Sequence, residues 1–119
     1  MFYWNYESPS CSRGGSDPQI LSTSGATILA NNEYSDFALL SLNEDPKNLS
    51  GYDPYYLGWD RATSLSSTGV VGIHHPSGDV KKIATSFNLP ANTTPYWRVN
   101  WSQTTNGFSV TEGGSSGSP

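Results

Sequence analysis

The chain has a single cysteine, Cys11, among its 119 residues. It therefore cannot close a disulfide bond within itself, and it lacks the spaced cysteine pairs of a structural zinc site. Histidine is also scarce, because His74 and His75 are the only two, and no further ligand completes a metal site around them. We accordingly expect no metal ion and no other cofactor.

Charged side chains make up only 13% of the residues, and acidic ones prevail. Six lysines and arginines stand against ten aspartates and glutamates, which gives a formal net charge of -4. Without a basic stripe to neutralise phosphates, the sequence argues against nucleic acid as a partner. No apolar stretch approaches the length that spans a bilayer, so we expect no membrane partner either.

Aromatic residues are abundant at 13%, and 12 glycines and 8 prolines separate short apolar runs. This composition favours a turn-rich, all-β globular class over disorder, which would need fewer aromatics and more net charge. Strand-like segments recur without a helical period, which indicates a sandwich or a barrel. The predicted strands cover residues 2–6, 26–30, 36–42, 56–61, 69–75, 80–84 and 97–101, and a tight turn at 76–79 makes a hairpin of the fifth and sixth.

The segment 114–119 has the sequence Gly-Ser-Ser-Gly-Ser-Pro. A serine with small, glycine-rich neighbours can expose its hydroxyl while nearby backbone N–H groups turn toward one point. An acyl-transfer enzyme needs this arrangement, since it places an attacking oxygen beside donors for the oxyanion. On composition alone, however, a flexible linker is the commoner origin of such a segment.

Asp36 opens the longest apolar run of the chain, Asp-Phe-Ala-Leu-Leu-Ser-Leu. A carboxylate at this point is expected near the core, where it needs a donor such as an imidazole N–H. The commoner alternative is an aspartate that caps the start of a strand. The order Asp36, His74 or His75, Ser116 is that of the subtilisins, but the small-residue patterns and helices of that family are missing. We therefore expect the two histidines in a structural hairpin.

Five segments then occur in series: Tyr-Trp-Asn-Tyr at 3–6 followed by Cys11, Ser-Asp-Phe-Ala-Leu-Leu at 35–40, Gly-Trp-Asp-Arg at 58–61, Gly-Ile-His-His-Pro at 72–76, and the segment 114–119. In this order they resemble the lysyl-endopeptidase branch of the chymotrypsin-like serine proteases, which are secreted bacterial enzymes. The resemblance covers nearly the whole chain. It implies a fold of two six-stranded Greek-key β-barrels, of which residues 1–119 would form one partial domain, truncated at both ends.

The resemblance implies a role for each matching residue of the terminal segment. Ser116 would be the nucleophile, and the backbone N–H groups of Gly114 and Ser116 would form the oxyanion hole. Two positions depart from the Gly-Asp-Ser-Gly-Gly-Pro-like signature, because Ser115 replaces the usual aspartate and Ser118 the second glycine. Asp36 matches the triad aspartate that holds the catalytic imidazole in its correct tautomer.

The remaining parts of such a protease are expected outside this chain. The catalytic histidine would precede Met1 in a Thr-Ala-His-Cys-like segment, and Cys11 would pair with an upstream cysteine. The acidic residue that selects lysine would follow Pro119, so lysine specificity is implied by the branch alone, and a broader trypsin-like specificity stays open. The resemblance further implies a secreted monomer that acts on protein or peptide substrates, with the isolated chain inactive.

Two interpretations compete with an active protease. One is a protease homologue that has lost its histidine and its activity. The other is a non-catalytic carbohydrate-binding or adhesin-like β-domain, because exposed aromatics with little charge suit stacking on sugars, although aromatics in strands equally fill barrel cores. The aromatics concerned are Tyr52, Tyr55, Tyr56, Trp59, Tyr96 and Trp97.

Overall fold

The computed structural model describes residues 1–10, 18–94 and 96–118. Its strands are β1 Phe2–Trp4, β2 Leu21–Thr23, β3 Ala26–Asn32, β4 Phe37–Leu42, β5 Val70–His74, β6 Lys82–Ser86, β7 Ala91–Asn92, β8 Trp97–Arg98, β9 Gln103–Thr104 and β10 Gly107–Phe108. Two short 3-10 turns lie at Pro46–Asn48 and Pro76–Gly78. In the described part of the chain there is no α-helix, which confirms the all-β prediction, and no helix long and apolar enough to cross a membrane.

Each strand pairs antiparallel with its neighbour in sequence, so that β1–β2, β3–β4, β5–β6, β7–β8 and β9–β10 form five two-stranded sheets. The described residues do not close these sheets into a barrel, as expected of an incomplete all-β domain. The chain divides into two compact units, Met1–Trp59 and Asp60–Pro119.

The first unit is held at its start by the pairing of β1 with β2. Phe2 lies opposite Thr23 and Trp4 opposite Leu21. The indole Nε1–H of Trp4 donates to Thr23 Oγ1 over 2.9 Å, and the ring lies 6.3 Å from that of Tyr52. The aromatic side chain thus satisfies its one polar group while it packs against a second ring.

The β3–β4 hairpin forms the longest ladder of the first unit. It runs from Ala26 opposite Leu42 to Asn32 opposite Phe37, with a register shift between Ile28 and Ala30. The apolar run that predicted a buried strand is nevertheless exposed, since Phe37 and Leu39 keep 51% and 55% of their surface. Leu40, on the opposite face of β4, keeps 38%, so the described residues bury neither face of this ladder.

The second unit is built around the β5–β6 hairpin. Its ladder runs from Val70 opposite Ser86 to His74 opposite Lys82. Three of its residues, His74, Ala84 and Ser86, are buried. Ala84 is the one fully buried apolar side chain in the described ranges, so this hairpin carries the small core.

The segment 101–109 covers the same hairpin. The Ser102 N–H donates to the carbonyl of Thr85 over 2.9 Å, and the Thr85 N–H donates to Ser109 Oγ over 3.0 Å. The Trp101 ring lies so close to Gly72 that a Cβ added there would meet its Cη2 atom at 3.1 Å. Gly72 thus leaves room for the indole on the hairpin.

Several strand predictions need correction. Residues 56–61 form no strand, and the aromatic side chains of this segment are exposed, with Trp59 at 82%. β-propensity alone makes no ladder there, because the segment pairs with no strand in the described chain. The strand predicted at 80–84 begins only at Lys82, and the one predicted at 97–101 ends at Arg98. The short strands β2, β7, β9 and β10 were not predicted.

Candidate active site

Residues 112–118 form two consecutive tight turns that share one residue. The Ser115 N–H donates to the carbonyl of Glu112 over 3.0 Å, and the Ser118 N–H donates to the carbonyl of Ser115 over 3.2 Å. Gly114 and Gly117 occupy the third positions of these turns with φ of 89° and 80°. Type II turns require a positive φ at that position, and glycine adopts it without a steric cost. The two glycines therefore give the loop its shape.

Ser116 lies at the second position of the later turn, and its side chain is exposed. Neither its backbone N–H nor that of Gly114 donates a hydrogen bond to any atom of residues 1–10, 18–94 or 96–118. The loop thus presents a hydroxyl together with two backbone donors that the described chain leaves unused. These are the groups that the family resemblance implies as the nucleophile and the oxyanion hole.

The turn of the β5–β6 hairpin holds this loop in place. The carbonyl of Gly113 accepts a hydrogen bond from the Ser77 N–H over 2.7 Å. In a planar trans peptide the C=O and the following N–H point in opposite directions, so the Gly114 N–H is directed away from Ser77. The carboxylate of Glu112 adds a second contact, because its Oε2 accepts from Ser77 Oγ over 2.9 Å.

The hairpin turn itself is fixed by local hydrogen bonds. Ser77 has a φ of 55° inside the turn, and the Asp79 N–H donates to the carbonyl of Pro76 over 2.9 Å. The Asp79 carboxylate accepts from the Val80 N–H over 2.7 Å and lies 3.2 Å from the Lys82 ammonium. The Val80 N–H, and after it Lys82, stabilise the charged carboxylate and hold the pKa of Asp79 below its ordinary value of 3.8.

A buried histidine contacts the residue next to the candidate nucleophile. His74 ends strand β5 with 4% of its surface exposed, and its Nδ1 lies 2.8 Å from Ser115 Oγ. The same hydroxyl oxygen accepts from the Glu112 N–H over 3.3 Å. The neighbouring His75 has a different partner, because its Nδ1 lies 3.0 Å from the carbonyl oxygen of Asp79. The histidines do lie in the expected hairpin.

The bond between His74 and Ser115 was not foreseen from the sequence. The two residues are 41 positions apart, and no local pattern connects them. The one signal in the sequence was that Ser115 replaces the aspartate of the usual signature. Because of that replacement, the sequence offered no hydrogen-bond partner for the Ser115 side chain.

Asp36 lies in the first unit, at the end of the turn that leads into β4, whereas Gly114, Ser115 and Ser116 belong to the second. Asp36 is exposed and has a φ of 50°, a left-handed conformation that aspartate tolerates. The expectation that it lies near the core is therefore wrong for this chain, whose β3–β4 ladder buries neither face. Cys11 and Pro119 lie outside the described residues.

A cavity of about 230 Å³ adjoins the serine loop within the second unit. Its walls are mainly apolar, and its polar lining residues are His74, Thr111, Ser115 and Ser118. The apolar part is formed by Val70, Val71, Ile73, Val99 and Trp101. Within the ranges the structure describes, no group of three or more histidine, cysteine, aspartate or glutamate residues could hold a metal ion.

The all-β hairpins and the glycine-rich serine loop belong to a protease-related class of domain. The chain matches the family described as "Lysyl endopeptidase, C-terminal domain" over residues 1–119. It therefore belongs to this family, which confirms the resemblance seen in the sequence. No solved structure matches the chain.

Proposed function

We propose that this chain is the part of a serine endopeptidase that supplies the nucleophile, Ser116, and the triad aspartate, Asp36. One observation carries the proposal. Ser116 is exposed on a tight turn, and its own N–H and that of Gly114 are free of partners among the described residues. Membership of a lysyl endopeptidase family supports the same chemistry.

The proposed reaction is acyl transfer to serine. Ser116 Oγ attacks the carbonyl carbon of the cleaved peptide bond and gives its proton to the catalytic histidine expected upstream of Met1. The negative charge that forms on the carbonyl oxygen accepts hydrogen bonds from the Gly114 and Ser116 N–H groups. The C–N bond then breaks, and the amine leaves with the proton that the histidine returns. Water hydrolyses the remaining ester and restores Ser116.

Asp36 acts on the histidine in this proposal, because a carboxylate that accepts from its Nδ1–H fixes the tautomer and stabilises the imidazolium. Cleavage after lysine is proposed from the family description, with the selecting acid placed beyond Pro119. Glu112 is a poor candidate for that acid, since Ser77 already donates to its Oε2. The same proposal includes four further points: the protein is secreted, it acts on protein substrates, it is a monomer, and Cys11 forms a disulfide with an upstream cysteine.

The test uses the full-length protein that contains this chain. A fluorophosphonate probe is incubated with the wild type, and the modified residue is located by peptide mapping, while cleavage is measured on matched lysine and arginine peptides. We expect modification of Ser116 and cleavage after lysine, and both should be lost in Ser116→Ala. The control Ser50→Ala changes an exposed serine of the first unit and should be modified like the wild type. An unmodified wild type would refute the proposal.

A second candidate function is carbohydrate binding. It is favoured by the exposure of the aromatic segment 52–59, where Tyr55 keeps 87% and Trp59 82% of its surface. Exposed rings of this kind can stack on the apolar faces of sugars. Binding of the full-length protein to a glycan array, together with its loss in Tyr55→Ala and Trp59→Ala, would favour this function over proteolysis.

A further inference from the structure

One buried group of the second unit has no part in the proposed chemistry. His74 is 4% exposed, and the role of general base is assigned to a histidine outside this chain. Its Nδ1 nevertheless contacts Ser115 Oγ at 2.8 Å, directly before the nucleophile in sequence. A part-buried hydrogen bond at this position calls for a physical explanation.

Ser115 joins the two turns of the serine loop through four hydrogen-bonding contacts. Its N–H closes the first turn on Glu112, and its carbonyl closes the second turn by accepting from Ser118. Its hydroxyl oxygen accepts from the Glu112 N–H and is bonded to His74. Whatever fixes the Ser115 side chain therefore fixes the relative orientation of the two turns, and with it the Ser116 hydroxyl and the Gly114 N–H.

Three contacts tie residues 112–115 to the β5–β6 hairpin, and they differ in burial. Ser77 provides two of them, to the Gly113 carbonyl and to the Glu112 carboxylate, and the latter is exposed. The third contact comes from His74, whose side chain is buried and whose backbone is paired with Lys82 in the ladder. The contact of His74 is part-buried, whereas Ser77 and both of its partners are exposed. Water therefore competes least for the His74 contact, which makes it the firmest of the three anchors.

We infer that His74 is a positioning residue, which holds the nucleophile loop in its reactive shape through the hydroxyl of Ser115. The inference rests on the proposed function, in which Ser116 attacks the substrate. Either neutral tautomer of His74 makes the bond, because Nδ1 can accept from the Ser115 O–H or donate to its oxygen. No charge has to be buried in either case, which keeps the desolvation cost low.

The loop depends on this anchor because its other shape-giving residues are glycines. Gly114 and Gly117 adopt their positive φ without strain, but glycine also has the largest conformational freedom of all residues. Without the side-chain hydrogen bond, the second turn can reorient relative to the Gly113–Gly114 peptide that Ser77 holds. The hydroxyl and the N–H of Ser116 then no longer have a fixed direction relative to the Gly114 N–H. Displacing reacting groups by about 1 Å costs about 100-fold in rate, so we expect a loss of about 10- to 100-fold.

The experiment compares His74→Gln, His74→Asn and Ser115→Ala in the full-length protein. The amide of asparagine occupies the place of the imidazole Nδ1, whereas the amide of glutamine reaches further. We expect His74→Gln and Ser115→Ala to lower kcat and the rate constant of fluorophosphonate modification about 10- to 100-fold, with KM little changed. His74→Asn should restore most of the rate. The control is His75→Gln, which changes the adjacent histidine and should keep the rate within about threefold.

The double variant His74→Gln with Ser115→Ala decides whether the two residues act as a unit. If they do, it is no slower than the slower single variant. Three outcomes would each overturn the inference. The rate losses of the two single variants could multiply in the double variant, Ser115→Ala could react as fast as the wild type, or the rate could fall only in variants whose Tm is lowered. These outcomes are distinct from failure of the proposed function, in which the wild type itself is not modified at Ser116. If the wild type is not modified at Ser116, both the proposed function and this inference are refuted.

Discussion

The carbonyl oxygen of Gly113 accepts a 2.7 Å hydrogen bond from the backbone N–H of Ser77, which ties the serine loop to the turn between β5 and β6. This contact brings two backbones together at Gly114. A Cβ atom added to Gly114 would lie 3.3 Å from the nitrogen of Ser77 and 3.3 Å from that of Gly78. Space and backbone conformation thus both restrict position 114 to glycine.

The first prediction concerns Gly114→Ala. Its φ of 89° is a conformation that residues with a side chain rarely adopt, and its neighbours are backbone atoms that cannot move aside cheaply. We expect the native turn to be disfavoured by about 1–3 kcal/mol. Fluorophosphonate modification of Ser116 in the full-length protein should slow about 100-fold, because the oxyanion donor moves with the turn.

Gly113→Ala is the matched control for this variant. Gly113 is the adjacent residue of the same turn, it lacks a positive φ, and a Cβ there meets no atom within 4 Å. The control should therefore react at nearly the wild-type rate. Equal losses in the two variants would show that the loop tolerates no side chain at all, and would contradict the argument from conformation.

The sequence predicted those parts of the fold that local patterns determine. The strands predicted at 26–30 and 36–42 are present as β3 and β4, and the hairpin predicted from 69–75 and 80–84 is present as β5–β6. Residues 56–61 have a similar aromatic content but no partner strand in the described chain, so the prediction failed where pairing, not propensity, decides. The unpredicted strands β7, β9 and β10 have two residues each, too short for any periodicity.

In the candidate site, too, only the features that depend on local sequence could be predicted. The exposed Ser116 and the positive φ of Gly114 and Gly117 follow from a Gly-Ser-rich turn sequence. The contact of Ser115 with His74 spans 41 residues and depends on how the loop packs on the hairpin. Tertiary contacts of this kind leave no trace in a local pattern.

The second prediction concerns the packing of Trp101 on the hairpin. A Cβ at Gly72 would meet the indole at 3.1 Å, and the two additional methyl groups of valine would come closer still. We expect Gly72→Val to destabilise the full-length protein by about 1–3 kcal/mol through overpacking. Thermal unfolding followed by tryptophan fluorescence measures this change. The control Val71→Ala alters the neighbouring exposed residue and should shift Tm less.

The third prediction concerns the titration of Asp79. Its pKa lies below 3.8, chiefly because the Val80 N–H donates to the carboxylate, and secondly because of Lys82. A carboxyl whose pKa is lowered by folding stabilises the fold above its unfolded pKa, and this contribution is lost as the pH falls through the folded value. NMR titration of the full-length protein should therefore find the midpoint of Asp79 ionisation below pH 3.8.

Lys82→Gln separates the two causes. Loss of the Lys82 charge should raise the pKa of Asp79. The pKa should nevertheless stay below 3.8, because the hydrogen bond from the Val80 N–H is the larger cause of the lowered value. A return to the ordinary value on loss of Lys82 would assign the whole shift to the ion pair. The Val80 N–H would then not be the larger cause.

The fourth prediction concerns residues 1–119 produced as an isolated polypeptide. Ile28, Leu29, Phe37 and Leu39 are all more than half exposed on the β3–β4 hairpin, and Ala84 is the one fully buried apolar residue of the described ranges. A chain with so little buried apolar surface cannot offset the conformational entropy that folding costs. We expect the isolated chain to bind a hydrophobic dye such as ANS and to show no cooperative unfolding in calorimetry, in contrast to the full-length protein. A sharp calorimetric transition without dye binding would show instead that the five two-stranded sheets are stable on their own.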